Sequence, residues 1–94
     1  MASSSEVARV LSQPFTLPSG VVIKNRIGKS AMSEALGTAD NRMTSALATL
    51  YGRWADGGTG LLITGNVMVD RRALGEPNNV AVEDERDLDL LREW

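Results

Sequence analysis

The sequence contains no cysteine and no histidine, and these two absences exclude several classes of chemistry. Without cysteine there is neither a disulfide framework nor a thiolate nucleophile, which favours a cytoplasmic location. Without either residue type the two commonest ligands of protein-bound zinc are missing, so we expect no metal site. A catalytic triad that uses histidine as its base is excluded within these 94 residues.

The sequence also lacks an excess of charge of one sign and any long apolar run. Ten Lys and Arg residues stand against twelve Asp and Glu residues, and the two signs are mixed along the chain, which is unlike a nucleic-acid-binding surface. No apolar run approaches the roughly 20 residues of a membrane span, and the N-terminus does not resemble a secretory signal. We therefore expect neither a nucleic-acid nor a membrane partner, and we expect a flexible tail over residues 1–10.

The segments that remain predict an α/β order of elements. Two β-prone segments, 15–17 and 21–23, flank turn residues at 18–20 and predict a hairpin. Strands are predicted over 26–31 and 61–64, with a helix between them. The three elements together form a βαβ unit with a right-handed crossover. The apolar run at 61–63 is typical of a parallel strand covered on both faces, so its side chains are expected in the core.

The enclosed helix has the clearest periodicity. Thr44 is its predicted N-cap, and the glycines at 57 and 58 are expected to end it. Its apolar residues recur at i, i+3, i+4 and i+7, the spacing of one buried face: Leu47, Leu50, Tyr51 and Trp54. Loops are predicted over 34–43 and 70–79, and a second helix is expected to begin near Glu83 or Asp84 and to continue to the last residue.

Two glycine-containing stretches fail as nucleotide motifs. The tripeptide Gly28-Lys29-Ser30 has no glycine five residues before Gly28, where a phosphate-binding loop requires one, and it lies in a predicted strand. The glycines at 57–60 precede a strand, whereas a dinucleotide fingerprint follows one. The polar residues that follow the two parallel strands, at 30–33 and 64–66, are more informative because such strand ends share one rim of a barrel, although turn chemistry alone would also explain them.

Four blocks of sequence, residues 24–27, 30–33, 50–55 and 60–67, together resemble the N-terminal part of the old yellow enzyme family of NADH:flavin oxidoreductases. The resemblance implies a (β/α)8 barrel, of which residues 11–94 would supply the N-terminal hairpin and the first βαβ units. A complete barrel needs about 250 residues, so the expected piece is an N-terminal fragment that is inactive alone.

The resemblance also implies an FMN site built from strand ends. The backbone of Ser30, Ala31 and Met32 would lie against the flavin ring, and the Ser33 side chain would reach its pyrimidine or N5 edge. The second strand would contribute Gly65 and Asn66. This sequence departs from the family pattern at three places. Ala31 stands where many members have proline, and Ser33 stands where they have threonine or cysteine. The pair Gly65-Asn66 stands where classic members have Glu-Ala.

The activity implied by the resemblance is reduction of FMN by NAD(P)H and hydride transfer to an activated alkene, such as an enone or a dienoyl thioester. No catalytic residue is expected within this chain, and a homo-oligomer is compatible with the sequence. Lys29 would either point toward the flavin or substrate or be a lysine of the barrel rim that finds a partner. Residues 70–72 would be either solvated or in contact with a substrate or a neighbouring subunit. The alternative that the residues leave open is a shortened, non-catalytic module that self-associates through open strand edges.

Overall fold

A computed structural model describes residues 3–94, and the helices and strands within that range are short. The three helices of this range are α1 (Ser4–Leu11), α2 (Ser45–Asp56) and α3 (Leu88–Glu93). Its six strands are β1 (Phe15–Thr16), β2 (Val22–Ile23), β3 (Gly28–Lys29), β4 (Leu61–Leu62), β5 (Val67–Met68) and β6 (Val80–Ala81).

Helix α1 occupies most of the segment for which the sequence predicts a flexible tail. The Ser3 hydroxyl accepts a hydrogen bond from the Glu6 backbone N–H and so caps the helix, although none of the helical residues is buried. The prediction did not include this helix, although Val7, Val10 and Leu11 recur at i, i+3 and i+4; these residues are 41–49% exposed and pack against no core. Met1 and Ala2 lie outside the described residues.

The segments around the turn at 18–20 form an antiparallel pair, in which Phe15 lies opposite Ile23 and Thr16 opposite Val22. Gly20 has φ of 93°, a left-handed angle that favours glycine over residues with a side chain. The Arg26 guanidinium lies over the Phe15 ring, 4.9 Å from its centroid, and its backbone N–H donates to the Leu11 carbonyl. These contacts join the end of α1 and the hairpin to the segment that leads into β3.

Strands β3 and β4 are parallel neighbours, with α2 between them in sequence and packed on one face of the pair. Gly28 lies opposite Leu61, and Lys29 lies opposite Leu62. The core is formed by Leu47 and Tyr51 of α2 together with Met43 and Val80. The predicted helical spacing is confirmed for Leu47 and Tyr51, which are buried, while Leu50 and Trp54 are half-buried.

The ends of α2 agree only in part with the sequence prediction. Thr44 is the N-cap residue, but its hydroxyl donates to the Leu36 carbonyl at 2.7 Å instead of accepting from the first turn. Thr44 therefore attaches the preceding loop to the helix. Gly57 and Gly58 follow the last turn, and Gly58 has φ of 101°, as expected where a helix ends in glycine.

The expectation that β4 is covered on both faces is wrong for these residues. Leu62 packs against the α2 core, but Leu61 and Ile63 are 44% and 49% exposed. Alternate residues of a strand point to opposite faces, and α2 covers only one of them. The radius of gyration of 16.5 Å exceeds the roughly 12 Å of a compact domain of this length, in keeping with a sheet that is open on one side.

The end of the described chain contains a strand pair that the sequence prediction did not include. Strands β5 and β6 are parallel, with Val67 opposite Val80 and Met68 opposite Ala81. The second helix begins at Leu88, later than the predicted start at Glu83 or Asp84. In the intervening turns Asp84 pairs with Arg86, and the Asp87 carboxylate binds Arg42. No helix within residues 3–94 is both long enough and apolar enough to cross a membrane.

Candidate functional site

The carboxyl ends of β3 and β4 lie side by side, as parallel pairing requires. Gly65, just after β4, is buried against the segment that follows β3. A Cβ built on Gly65 would overlap the Met32 carbonyl oxygen. The two segments with which the resemblance associates a flavin, residues 30–33 and 65–66, are therefore in direct backbone contact.

A buried polar cluster holds this contact together. The Tyr51 hydroxyl hydrogen-bonds to Glu34 Oε1, and the Gly65 backbone N–H lies 3.1 Å from that hydroxyl and 3.3 Å from the same carboxylate oxygen. Burial and the hydrogen bond to Glu34 raise the pKa of Tyr51 to about 12. The sequence prediction placed Tyr51 in the core but gave Glu34 no role, although its position directly after Ser33 was a signal.

Ser33 is fixed by a residue from a distant part of the chain. Asn79 Nδ2 donates to Ser33 Oγ at 3.0 Å. The sequence prediction assigned Asn78 and Asn79 to a turn, and Asn78 has the left-handed φ of 61° that such a turn uses. Asn79 differs, because it is only 2% exposed and its side chain reaches the candidate site.

The surface of the site is formed mainly by backbone. Ser30, Ala31 and Met32 are exposed, and the backbone N–H groups of Ala31 and Met32 donate to no acceptor within residues 3–94. Asn66 is also exposed. Its Nδ2 atom lies 3.7 Å from the point that a Cβ on Gly75 would occupy.

These features fit a flavin, which has a flat ring and a polar edge of nitrogen and carbonyl groups. Exposed backbone offers a surface without large side chains, apart from Met32, against which such a ring could lie. The unpartnered N–H groups and the Ser33 hydroxyl are donors of the kind that the polar edge accepts. No residue of this set can act as an acid or base near neutral pH, so its chemistry is binding and orientation.

Lys29 adjoins this surface at Ser30, and its side chain lies against the rings of α2. Its Nζ atom lies 5.2 Å from the centre of the Tyr51 ring and 5.0 Å from that of Trp54, and it donates to the Ser30 and Ile63 carbonyls at 2.5 and 2.7 Å. Of the predicted roles, this geometry favours a lysine that finds partners over one that contacts the flavin, because the ammonium group binds two carbonyls and lies against two aromatic rings.

The charged residues at 70–72 form local ion pairs. Arg72 binds Asp70 at 2.7 Å, and Arg71 binds Glu83 at 2.7 Å. The Arg72 guanidinium holds the pKa of the Asp70 carboxyl below its usual value.

An open apolar cleft lined by Phe15, Ile27 and Leu61 lies near the amino ends of β3 and β4, away from the candidate site.

Comparison with known proteins gives several relatives that are named NADH-dependent flavin oxidoreductases. The chain is 44% identical over 72 residues to the NADH-dependent flavin oxidoreductase iliE of Hypocrea jecorina, a match that covers 77% of this chain and 18% of the relative. It is 32% identical over 85 residues to the NADH-dependent flavin oxidoreductase iccE of Talaromyces variabilis, covering 89% of this chain and 20% of the relative. The chain thus spans about a fifth of the length of these relatives.

A solved structure shares the fold. The old yellow enzyme homologue from Zymomonas mobilis superposes with a TM-score of 0.77 at 22% identity, covering 88% of this chain and 22% of that protein. At this identity the likeness concerns the fold. No family model matches the sequence.

Proposed function

Because the chain belongs to the old yellow enzyme family, we propose that it supplies one edge of the FMN site of an NADH-dependent flavin oxidoreductase. The observation that carries the proposal is the backbone contact between Met32 and Gly65 at the ends of two parallel strands. This contact brings segments 30–33 and 65–66 side by side at the carboxyl ends of β3 and β4, and in complete barrels active sites are built at that end of the strands.

Bound FMN would supply hydride transfer from NAD(P)H to an activated alkene of the enone or dienoyl thioester class. The chain's own contribution is to bind and orient. The backbone of Ser30, Ala31 and Met32 would support one part of the ring, with Gly65 and Asn66 beside it. A hydrogen bond from Ser33 to the polar edge would stabilise negative charge there and so favour the reduced cofactor.

Flavin binding in a complete protein tests the proposal. The matching segment of the Hypocrea jecorina relative is replaced by the segment from this chain. Flavin absorbance at about 450 nm is then measured per mole of purified protein. We expect a yellow, NADH-reducible graft, in which Ser33→Ala weakens FMN binding about tenfold through the loss of one hydrogen bond. Ser19→Ala, in the exposed hairpin turn, is the control and should leave binding unchanged.

Two results would contradict the proposal. One is a folded graft without flavin beside a yellow, ungrafted relative. The other is stoichiometric, NADH-reducible flavin on the 94-residue chain alone, because the chain would then be more than one edge of the site.

A second candidate function rests on the uncovered side of the β3 and β4 pair. Ile27, Leu61 and Ile63 are 44–49% exposed and could pair two copies of this chain as a non-catalytic module. Sedimentation velocity separates the candidates, because a module of this kind would form discrete, concentration-dependent dimers and would remain colourless in the graft.

A further inference from the structure

Asn79 has a side-chain amide whose orientation is set by its neighbours. The Glu76 backbone N–H donates to Asn79 Oδ1 at 2.7 Å, so the oxygen of the amide must face Glu76. The nitrogen then faces Ser33, 3.0 Å from Oγ. The reversed amide would place its nitrogen against the Glu76 N–H, one donor facing another, so the two neighbours together select this orientation.

This orientation decides what the Ser33 hydroxyl can do. An amide nitrogen only donates, so Ser33 Oγ must accept from Asn79. The hydroxyl hydrogen of Ser33 cannot point at Asn79 and is left for another acceptor. Ser33 is half-buried and directly follows Met32, which is exposed.

The backbone of Asn79 is held as firmly as its side chain. Asn41 Nδ2 donates to the Asn79 carbonyl at 3.0 Å, and the Ala81 N–H donates to the Asn41 carbonyl at 2.8 Å. The Gly37 N–H donates to the Asn78 carbonyl at 2.9 Å, and a Cβ on Gly37 would lie 2.7 Å from that oxygen. The loop at 34–43 therefore packs directly against the segment that carries Asn79.

We propose that Asn79 is a positioning residue that makes Ser33 a hydrogen-bond donor toward the flavin. The proposal rests on the proposed function, and it adds a residue 46 positions away from Ser33 to the site. Asn79 acts only through Ser33. It keeps the hydroxyl as a donor in both redox states of the cofactor, with the stronger interaction when the flavin carries negative charge.

The test is an isosteric reversal of the hydrogen bond in the grafted flavoprotein. In Asn79→Asp, one carboxylate oxygen still accepts from Glu76, while the other accepts from Ser33 and turns its hydrogen away from the flavin. We expect reduced FMN to bind tenfold more weakly relative to oxidised FMN, which corresponds to a fall of about 30 mV in the two-electron potential. The readouts are this potential and the flavin absorption spectrum.

A double-mutant cycle with Ser33→Ala separates positioning from the added negative charge. If Asn79 acts through Ser33, most of the shift caused by Asn79→Asp disappears in the Ser33→Ala background. Equal shifts in the two backgrounds would overturn the inference while leaving the proposed function intact. If the aspartate variant does not fold, Asn79→Ala, which adds no charge, is used in the same cycle. A folded graft without flavin would overturn the proposed function itself.

Discussion

Gly65 and Met32 are in closer contact than any residue with a side chain at position 65 would allow. A Cβ on Gly65 would overlap both the carbonyl oxygen and the carbonyl carbon of Met32. Both atoms belong to the backbone, so a rotamer change cannot relieve the overlap. The approach of the two strand ends therefore depends on glycine at this position.

Gly65→Ala should destabilise the fold by about 3 kcal/mol or more, since the backbone of one strand end must move. Urea unfolding followed by circular dichroism measures the change. Gly52→Ala is the matched control, because a Cβ there meets nothing within 4 Å and alanine favours the helix by about 1 kcal/mol. Equal unfolding midpoints for the two variants would contradict the tight contact.

Tyr51→Phe should cost about 1–3 kcal/mol at neutral pH, because it removes the hydroxyl shared by Glu34 and Gly65. The raised pKa of Tyr51 adds a dependence on alkaline pH. Between the ordinary pKa of 10.0 and the folded value of about 12, the unfolded chain ionises first. Stability should therefore fall by about 1.4 kcal/mol per pH unit in this window, in addition to losses from other groups.

The difference between the wild type and Tyr51→Phe isolates this contribution, because the other groups titrate in both proteins. Tyr51 is the sole tyrosine of the sequence, so tyrosinate absorbance also reports its pKa directly. Parallel stability curves above pH 10, or a tyrosinate midpoint at the ordinary value, would contradict the Glu34 contact.

Lys29→Met should destabilise the fold by about 1 kcal/mol and weaken flavin binding in the graft less than Ser33→Ala does, because Lys29 reaches the candidate site only through the Ser30 carbonyl. The ammonium group contacts two aromatic rings and two carbonyls, all within the fold. Thermal unfolding and FMN titration give the two readouts, with the exposed Lys24→Met as the control. If Lys29→Met were stable but lost as much flavin affinity as Ser33→Ala, the result would show that Lys29 contributes to the cofactor site.

Asp87→Asn should destabilise the fold at neutral pH and remove part of its sensitivity to acid. Arg42 Nη2 lies 2.6 Å from the Asp87 carboxylate, and the hydrogen bonds from Arg42 hold the pKa of Asp87 below its usual value. A lowered carboxyl pKa stabilises the folded state above the ordinary value of 3.8, and this stabilisation is lost as the pH falls through the folded pKa. Unfolding midpoints between pH 7 and pH 2 measure the effect.

Asp84→Asn is the control for this prediction. The pKa of Asp84 is lowered to about 2 by its hydrogen bonds with Arg86, but the two residues are neighbours in sequence and both are exposed. A pair that can form without the fold contributes less to folding stability. An Asp84→Asn variant with the larger acid effect would contradict this assignment.

Helix α2 was the element most fully predictable from the sequence, because its signals are local. The spacing of Leu47 and Tyr51, the cap position of Thr44 and the two terminal glycines all lie within 15 residues. The proximity of residues 30–33 to residues 65–66 was also predictable, because parallel strands end at the same edge of a sheet.

Strand β6 and the role of Asn79 were harder to predict. The alternating Val80-Ala81-Val82 was a weak strand signal that lay between a predicted loop and a predicted helix. In the sequence, Asn79 is typical of a turn residue, like Asn78 beside it. Only the burial of Asn79 in the structure distinguishes it from Asn78. Burial depends on Asn41 and Gly37, whose contacts with the segment at 78–79 have no counterpart in local periodicity.

The sequence by itself determined the elements whose causes lie within one turn or one strand, namely the amphipathic face of α2 and the glycines that end it, and it excluded thiol and histidine chemistry. Only the tertiary structure decided the hydrogen-bond partner of Ser33, the partner of Tyr51 and the need for glycine at position 65. Each of these depends on atoms brought together across 14 to 46 residues, where the distance between atoms, and not the spacing in sequence, determines the interaction.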